Sequence, residues 1–342
     1  MTSELTNPDA QMPPQVLQEF LYADIDRARS IMSQLIGGVP EEDKVSEGLG
    51  RRFDAGLKTY LRFSKESKGE EQVQRSLLDA LIPGLEETLL TEGWLTDIQD
   101  HLADESLTQE DLEKMVPPGA LVKFSAPGQL FDARYLAEVF GGTSVIASAA
   151  HFFAEKARSQ SISKGKTSRP KSPRPNHDAP GNLEDAVEDI PTGAFGPIGS
   201  DDLKGLIRIA RGTFGAGLHL LLTARPNRPW SITTRLQEGK RYLDVERDVL
   251  FSRYGLQRQN WTIFGTIGRY APKSVAAPDG NFFDDGKLNR DEFVAQVNQL
   301  LGHLAGQGLS DSPKYPGFSL VPIAVYRSIP PAASYPHVEV ST

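Results

Sequence analysis

Apolar residues fall along this chain in short clusters whose spacing predicts mixed helices and strands. Residues 16–22 form an apolar run read as a strand. Asp24 is placed to cap a helix over 25–36, closed by Gly37 and Gly38. Ile25, Ala28, Met32, Leu35 and Ile36 share one face of that helix. Val73, Leu77 and Leu81 predict a second helix that Pro83-Gly84 stops; Leu85, Leu89, Trp94 and Ile98 predict a third, broken at Gly93. Thr108 and Asp111 have capping spacing for a short helix ending before Pro117-Pro118. Residues 120–125 alternate as a strand, Ala126-Pro127-Gly128 reads as a type II turn, and 129–131 returns. Asp132 then caps a helix ending at Gly141-Gly142, and another covers 144–157.

The pattern fails between Lys156 and Asp202. Seven cations come first (Lys156, Arg158, Lys164, Lys166, Arg169, Lys171, Arg174), then seven acids from Asp178 to Asp202, with six prolines among them and little that builds a core. Such composition does not offset the entropy of ordering, so the segment reads as a disordered linker. Beyond it, Leu203, Leu206, Ile207 and Ala210 line a helix that starts at Asp201-Asp202, where acids suit the dipole. Strands follow at 218–223 and 230–236 around the turn Arg225-Pro-Asn-Arg-Pro229. A helix is predicted over 242–254, and 260–270 alternates most clearly of all. Phe293, Val297, Leu300, Leu301 and Leu304 predict a strongly amphipathic helix, and 318–329 is a closing strand whose Pro322 marks an edge or a bulge.

The expected fold class is therefore α+β. A mainly helical domain with a small strand element occupies 16–155, the linker 156–202, an α/β sandwich with a mixed sheet 203–330, and a tail 331–342.

Phe20-Leu21-Tyr22-Ala23-Asp24, followed by Arg29-Ser30 and Ser33-Gln34-Leu35, resembles the opening of a functionally uncharacterised family of bacterial proteins. Those members begin with a Phe-Leu-Tyr-x-Asp strand and a helix ending Ser-x-x-Ser-Gln-Leu. The resemblance covers about twenty residues and implies a bacterial, cytosolic setting; it brings no catalytic residues.

Composition narrows the chemistry. The net charge of -8 argues against a general nucleic-acid binder, and the absence of cysteine removes disulfides, thiolate nucleophiles and Cys-based metal sites. The opening residues lack a signal peptide's apolar core, and no run reaches the length of a membrane span, so a cytoplasmic location is expected. The six histidines are scattered without ligand spacing, and no Walker loop, dinucleotide fingerprint or nucleophile elbow occurs. Gly212 to Gly217 runs from helix to strand, the wrong polarity for a phosphate cradle.

Three constellations remain. Asn281, Asp285, Asn289 and Glu292 sit at positions 1, 5, 9 and 12 of a calcium-loop register, but Phe283 occupies position 3; the plain alternative is a polar loop that starts the next helix. Lys164, Lys166, Arg169, Lys171 and Arg174 could meet nucleic acid or an anionic surface, or act as a solvated spacer. Arg225, Arg228 and Arg235, with Trp230 and Trp261, would suit an anionic or nucleotide-like ligand if the two strands face each other; otherwise they are a hairpin turn and two core indoles. The reading that results is a non-enzymatic binding or regulatory protein with no cofactor, whose partner is another protein. The alternative is a sensor or enzyme for nucleotides or phosphorylated ligands using the arginines around Trp230.

Overall fold

Strands with one apolar face must bury it, and five strands here do so by closing on one another. The computed structural model describes residues 17–35, 70–160, 182–189, 198–224, 230–255, 257–273, 283–284 and 287–329. The described strands are β1 (Leu17–Ala23), β2 (Leu95–Asp97), β3 (Leu121–Phe131), β4 (Leu218–Thr223), β5 (Ser231–Leu236), β6 (Gln259–Tyr270), β7 (Phe283–Asp284), β8 (Lys287–Leu288) and β9 (Gly317–Ile329). The helices are α1 (Ile25–Leu35), α2 (Glu70–Thr91), α3 (Gln99–Ala103), α4 (Gln109–Met115), α5 (Ala133–Gln160), α6 (Ser200–Phe214), α7 (Arg247–Tyr254) and α8 (Arg290–Gly306), with a 3-10 turn at Leu183–Ala186.

β3 pairs antiparallel with β4, β4 with β5, β5 parallel with β9, β9 antiparallel with β6, and β6 antiparallel with β3. That ring is a five-stranded barrel, which leaves no free edge within it. β1 extends the sheet along β9, and β2 along β3. Phe124, Leu220, Trp230, Ile232, Trp261, Ile263 and Phe318 fill the interior, and α7 adds Leu250, Phe251 and Tyr254. A second core lies where α1 and α2 cover the outer face of β6 and β9: Ala28, Met32, Ile82, Leu85 and Leu89 meet Phe264, Ile323 and Tyr326. A third, small cluster joins α5, the 3-10 turn and α6 through Ala137, Val187, Leu203 and Ile207.

Mixed helices and a mixed sheet were expected, but the sheet is a barrel rather than a sandwich. The division at 156–202 does not separate two sheets either, because β1 and β3 from one side pair with β9, β4 and β6 from the other. Part of the expected linker is packed: Glu184 and Val187 are buried, and 200–202 belong to α6. The remaining linker positions, 161–181 and 190–197, lie outside the described residues.

Three predicted breaks also fail. α2 runs through Pro83 because Leu81, Ile82, Leu85 and Leu89 on both sides of it are buried together. Burial worth about 1.5–3 kcal/mol per side chain outweighs the roughly 3 kcal/mol proline penalty. β3 continues through Pro127, which stands opposite Asn260 one position before the β6 ladder ends and the β4 ladder begins, both at Gly128. α5 runs through Gly141-Gly142, since a Cβ on Gly141 would come within 2.7 Å of the Ala186 carbonyl oxygen; the glycine there admits the chain rather than ending the helix. The helix expected over 242–254 starts only at Arg247. Pro322 does mark a bulge, opposite the register shift at Phe264 and Gly265. α8 forms as predicted, yet Phe293, Val297, Leu300 and Leu301 on it are exposed.

Candidate functional site

Alternation along β4 and β5 decides what faces outward from the barrel. Leu218, Leu220 and Leu222 point inward, leaving His219, Leu221 and Thr223; Ile232, Thr234 and Leu236 do the same, leaving Ser231, Thr233 and Arg235. The register sets Leu221 opposite Thr233, Thr223 opposite Ser231, and Gln129 of β3 beside Leu221. The outer floor is thus a patch of hydroxyls and an amide around one leucine.

Two connections wall this floor. On one side α6 ends at Thr213-Phe214, turned off by Gly215 at φ 67. The Phe214 ring packs tilted against Phe131, centroids 4.5 Å apart, and edge-on to His219 at 5.5 Å, which holds it in place. On the other side the chain leaving α8 supplies Asp311, Ser312, Lys314 and Tyr315. It is fastened to the floor where the Lys314 backbone N–H donates to Ser231 Oγ at 3.1 Å and the Ser231 N–H donates to the Pro316 carbonyl at 2.9 Å. Buried Gln109 ties the same wall from behind: its amide nitrogen donates to the Ala271 carbonyl and its oxygen accepts from the Gly317 N–H. The Tyr315 hydroxyl donates to Glu110, 3.4 Å from each carboxylate oxygen. Glu110 is held below the usual carboxylate range first by its own backbone N–H, then by Lys273 and Tyr315. Arg258, whose Nε donates to Gln129 Oε1 at 3.3 Å, closes one end.

The space enclosed is an open cleft of about 570 Å³, within the range of small-ligand sites. Arg258 and Lys314 bring positive charge to it, Asp311 a carboxylate, Phe214 and Tyr315 ring surface, and Gln129, Thr223, Ser231 and Thr233 hydrogen-bonding groups. His219 is fully enclosed behind Phe214, with Nδ1 3.2 Å from an Asp311 oxygen but off the line of a hydrogen bond. It braces the wall and does not reach the cleft. Among the described residues no three His, Asp or Glu side chains are grouped to hold a metal ion.

The residues singled out from the sequence are dispersed. Trp230 and Trp261 are buried indoles, packed edge-on against Phe318 and Tyr254, and of the two Trp230, just ahead of β5, also lines the cleft. Arg235 lies outside the barrel, at the far end of its strand from the 225–229 turn, against Gly217 and donating to the Ala216 carbonyl. The structure therefore does not bring that arginine to the indoles; Arg225 and Arg228 lie outside the described residues. So do Asn281 and Asp285 of the calcium register, while β7 and β8 pair antiparallel, Phe283 opposite Leu288 and Asp284 opposite Lys287. Asn289 is spent capping α8, accepting from the Glu292 N–H, and Glu292 accepts from Gln296. Lys164, Lys166, Arg169, Lys171 and Arg174 are likewise outside the described residues.

The model of one family, described as a domain of unknown function (DUF6414), matches residues 17–326, which take in eight of the nine strands whole and most of β9. This chain belongs to that family. No curated protein and no solved structure matches it. In this DUF6414 chain both cleft walls and the floor lie inside the matched range. Sequence reading missed Phe214, Arg258, Asp311 and Lys314 because three separate stretches supply them; only the barrel's closure makes them neighbours.

Proposed function

We propose that this protein is a non-enzymatic binding module that seats a nucleotide-type ligand, ring and phosphate together, in the cleft over β4 and β5. The observation that carries the reading is where the cleft lies. Counting β3, β4, β5, β6 and β9 as one to five, the barrel order is 1-2-3-5-4-1 with the third and fifth strands parallel. That connectivity is of the OB type, in which ligands lie on the face of strands two and three between the connections 1–2 and 4–5. Here that face is β4–β5, and the two connections end in α6 and in the chain after α8, which are the cleft's walls.

Fold alone assigns no ligand, so the lining decides. Lys314 and Arg258 suit phosphate oxygens, the Phe214 and Tyr315 rings suit a flat base, and the hydroxyls of Thr223, Ser231 and Thr233 suit a sugar. Two cations in a chain of net charge -8 favour a single nucleotide over a long polyanion, whose affinity grows with each phosphate neutralised.

Calorimetry with nucleoside mono-, di- and triphosphates, inorganic phosphate and a short single-stranded oligonucleotide tests this. A nucleotide is expected to bind, with inorganic phosphate weaker, and Lys314→Ala or Arg258→Ala lowering affinity about tenfold. Binding indifferent to both substitutions, or none with any of these probes, overturns the reading; tighter binding of the oligonucleotide reassigns the cleft to strands.

A further inference from the structure

The cleft over β4 and β5 has a neighbour. Where α8 passes the end of β6, a groove of about 620 Å³ opens, itself within the range of small-ligand sites. Arg269, Ala271 and Pro272 form one side of it, and Ala295, Asn298, Gln299 and Gly302 of α8 the other. Ala305, Ser310 and Ser312 line groove and cleft alike, so the chain leaving α8 is a partition between them.

The way α8 ends places that partition. Gly308, at φ 75, reverses the chain, and the Leu309 N–H donates to the Leu304 carbonyl at 2.8 Å. The returning segment is then tied on both sides. Arg269 Nη2 donates to Ser312 Oγ from the groove, while the Lys314 N–H donates to Ser231 Oγ at the cleft floor. Arg269 is itself held where its backbone N–H donates to Ser319 Oγ at 3.1 Å. The Ser310 hydroxyl, enclosed where the two spaces adjoin, has no hydrogen-bond partner among the described residues.

The groove repeats the chemistry of the cleft. Arg269 supplies a cation as Arg258 and Lys314 do, and no Asp or Glu lines the groove. The amides of Asn298 and Gln299 correspond to that of Gln129, and the Ser312 hydroxyl to those of Ser231 and Thr233. A side-chain amide sets a donor beside an acceptor, the pattern that meets the edge of adenine. Ala295 and Gly302, with little or no side chain, leave room along α8 for a flat ring.

We infer that the ligand is a dinucleotide, two nucleosides joined through phosphates, whose second nucleoside occupies the groove between α8 and the end of β6 while the phosphates cross Ser310 and Ser312. This rests on the nucleotide reading of the cleft and lengthens that ligand by one unit. Two spaces of like chemistry on either side of one chain segment suit two like ends on one linker. A mononucleotide in the cleft would leave Arg269 and both amides in water. Three cations across the two spaces, in a chain of net charge -8, suit a few phosphates rather than a strand.

Calorimetry on the full chain separates this inference from the reading beneath it. The probes are diadenosine tetraphosphate, adenosine 5′-tetraphosphate (the same phosphates with one base) and a ten-base oligodeoxyadenylate. The dinucleotide is expected to bind one per chain, about a hundredfold tighter than the single-base probe, the gain of a tethered second contact. Asn298→Ala/Gln299→Ala, checked for an unaltered melting curve, is expected to remove that gain and leave the single-base affinity as it was. Arg269→Ala is expected to weaken the dinucleotide about tenfold, whereas Lys314→Ala weakens both probes. Three results overturn the inference and spare the cleft reading, which the Lys314→Ala loss carries: equal affinity for the two probes, a gain that survives both groove variants, or two single-base ligands per chain with no gain on joining them. Tighter binding of the oligonucleotide overturns it in favour of a strand. No binding by any probe overturns both.

Discussion

Two buried glutamates carry opposite signs of pH dependence, because one is enclosed with too little compensation and the other with more than enough. Glu86 of α2 is 4% exposed against the outer barrel face; its Oε2 accepts from Lys123 and, at 2.9 Å, from the Tyr326 hydroxyl, while Oε1 has no partner. Burial raises its pKa, only partly countered by Lys123. A carboxyl whose folded-state pKa is raised contributes most below its unfolded value, and that contribution is lost as pH rises through the folded one. Urea unfolding is therefore expected to show wild type losing stability relative to Glu86→Gln as pH climbs from the ordinary glutamate range. Lys123→Met is expected to cost about 3 kcal/mol at neutral pH by stranding the buried carboxylate, with much of it recovered on adding Glu86→Gln. Glu184 behaves oppositely. Its own backbone N–H first, then Arg211 and Arg208, hold it below the usual range. Its contribution is present above the unfolded pKa and lost as pH falls through the lowered one, so the deficit of Glu184→Gln is expected at neutral pH and should vanish in acid.

At the scale of elements, neighbouring glycines in α5 separate two roles that sequence alone confounds. A Cβ at Gly141 meets the Ala186 carbonyl oxygen at 2.7 Å, whereas one at Gly142 meets nothing within 4 Å. Chemical denaturation is expected to find Gly141→Ala destabilised by about 1–3 kcal/mol through overpacking. Gly142→Ala is expected to gain about 0.5–1 kcal/mol from helix propensity. Equal effects would mean that the 182–189 segment does not press on the helix. The same pair shows what was legible. Local periodicity and caps located α1, α6 and β6, and the Asp24 cap is real, its Oδ1 accepting from the Arg27 N–H at 3.0 Å. Helix continuity through Gly141 or Pro83 was not legible, because the packing that decides it comes from residues 45 or more positions away in the case of Gly141 and from β6 and β9 in the case of Pro83. The cleft was illegible for a related reason: barrel closure enclosed Trp261 and left Trp230 almost wholly buried at the cleft's edge, and Lys314 and Arg258 had no local pattern to mark them.

For the whole molecule, the order of pairing decides how the chain responds to being divided. β3, carried by the first half, lies between β4 and β6 of the second and contributes Val122, Phe124, Ala126 and Leu130 to the interior. β1 runs along β9, and α1 and α2 cover Phe264, Ile323 and Tyr326, which would otherwise be an apolar outer wall. Neither half can close a barrel: the first would expose the β6 edge of β3 and the 128–131 stretch that pairs with β4, keeping only the short β2 pairing, and the second would leave β4 and β6 unpaired where β3 belongs. Residues 1–160 and 182–342 expressed together are accordingly expected to copurify as a complex that melts in one cooperative transition. Either piece alone is expected to aggregate or lack a cooperative melt. Two separately folded pieces that ignore each other would instead establish the division at 156–202 and refute the shared barrel. Since that barrel also holds the β4–β5 face between its two walls, nucleotide binding is expected to return only when both pieces are present, measured by adding one purified piece to the other in the calorimeter.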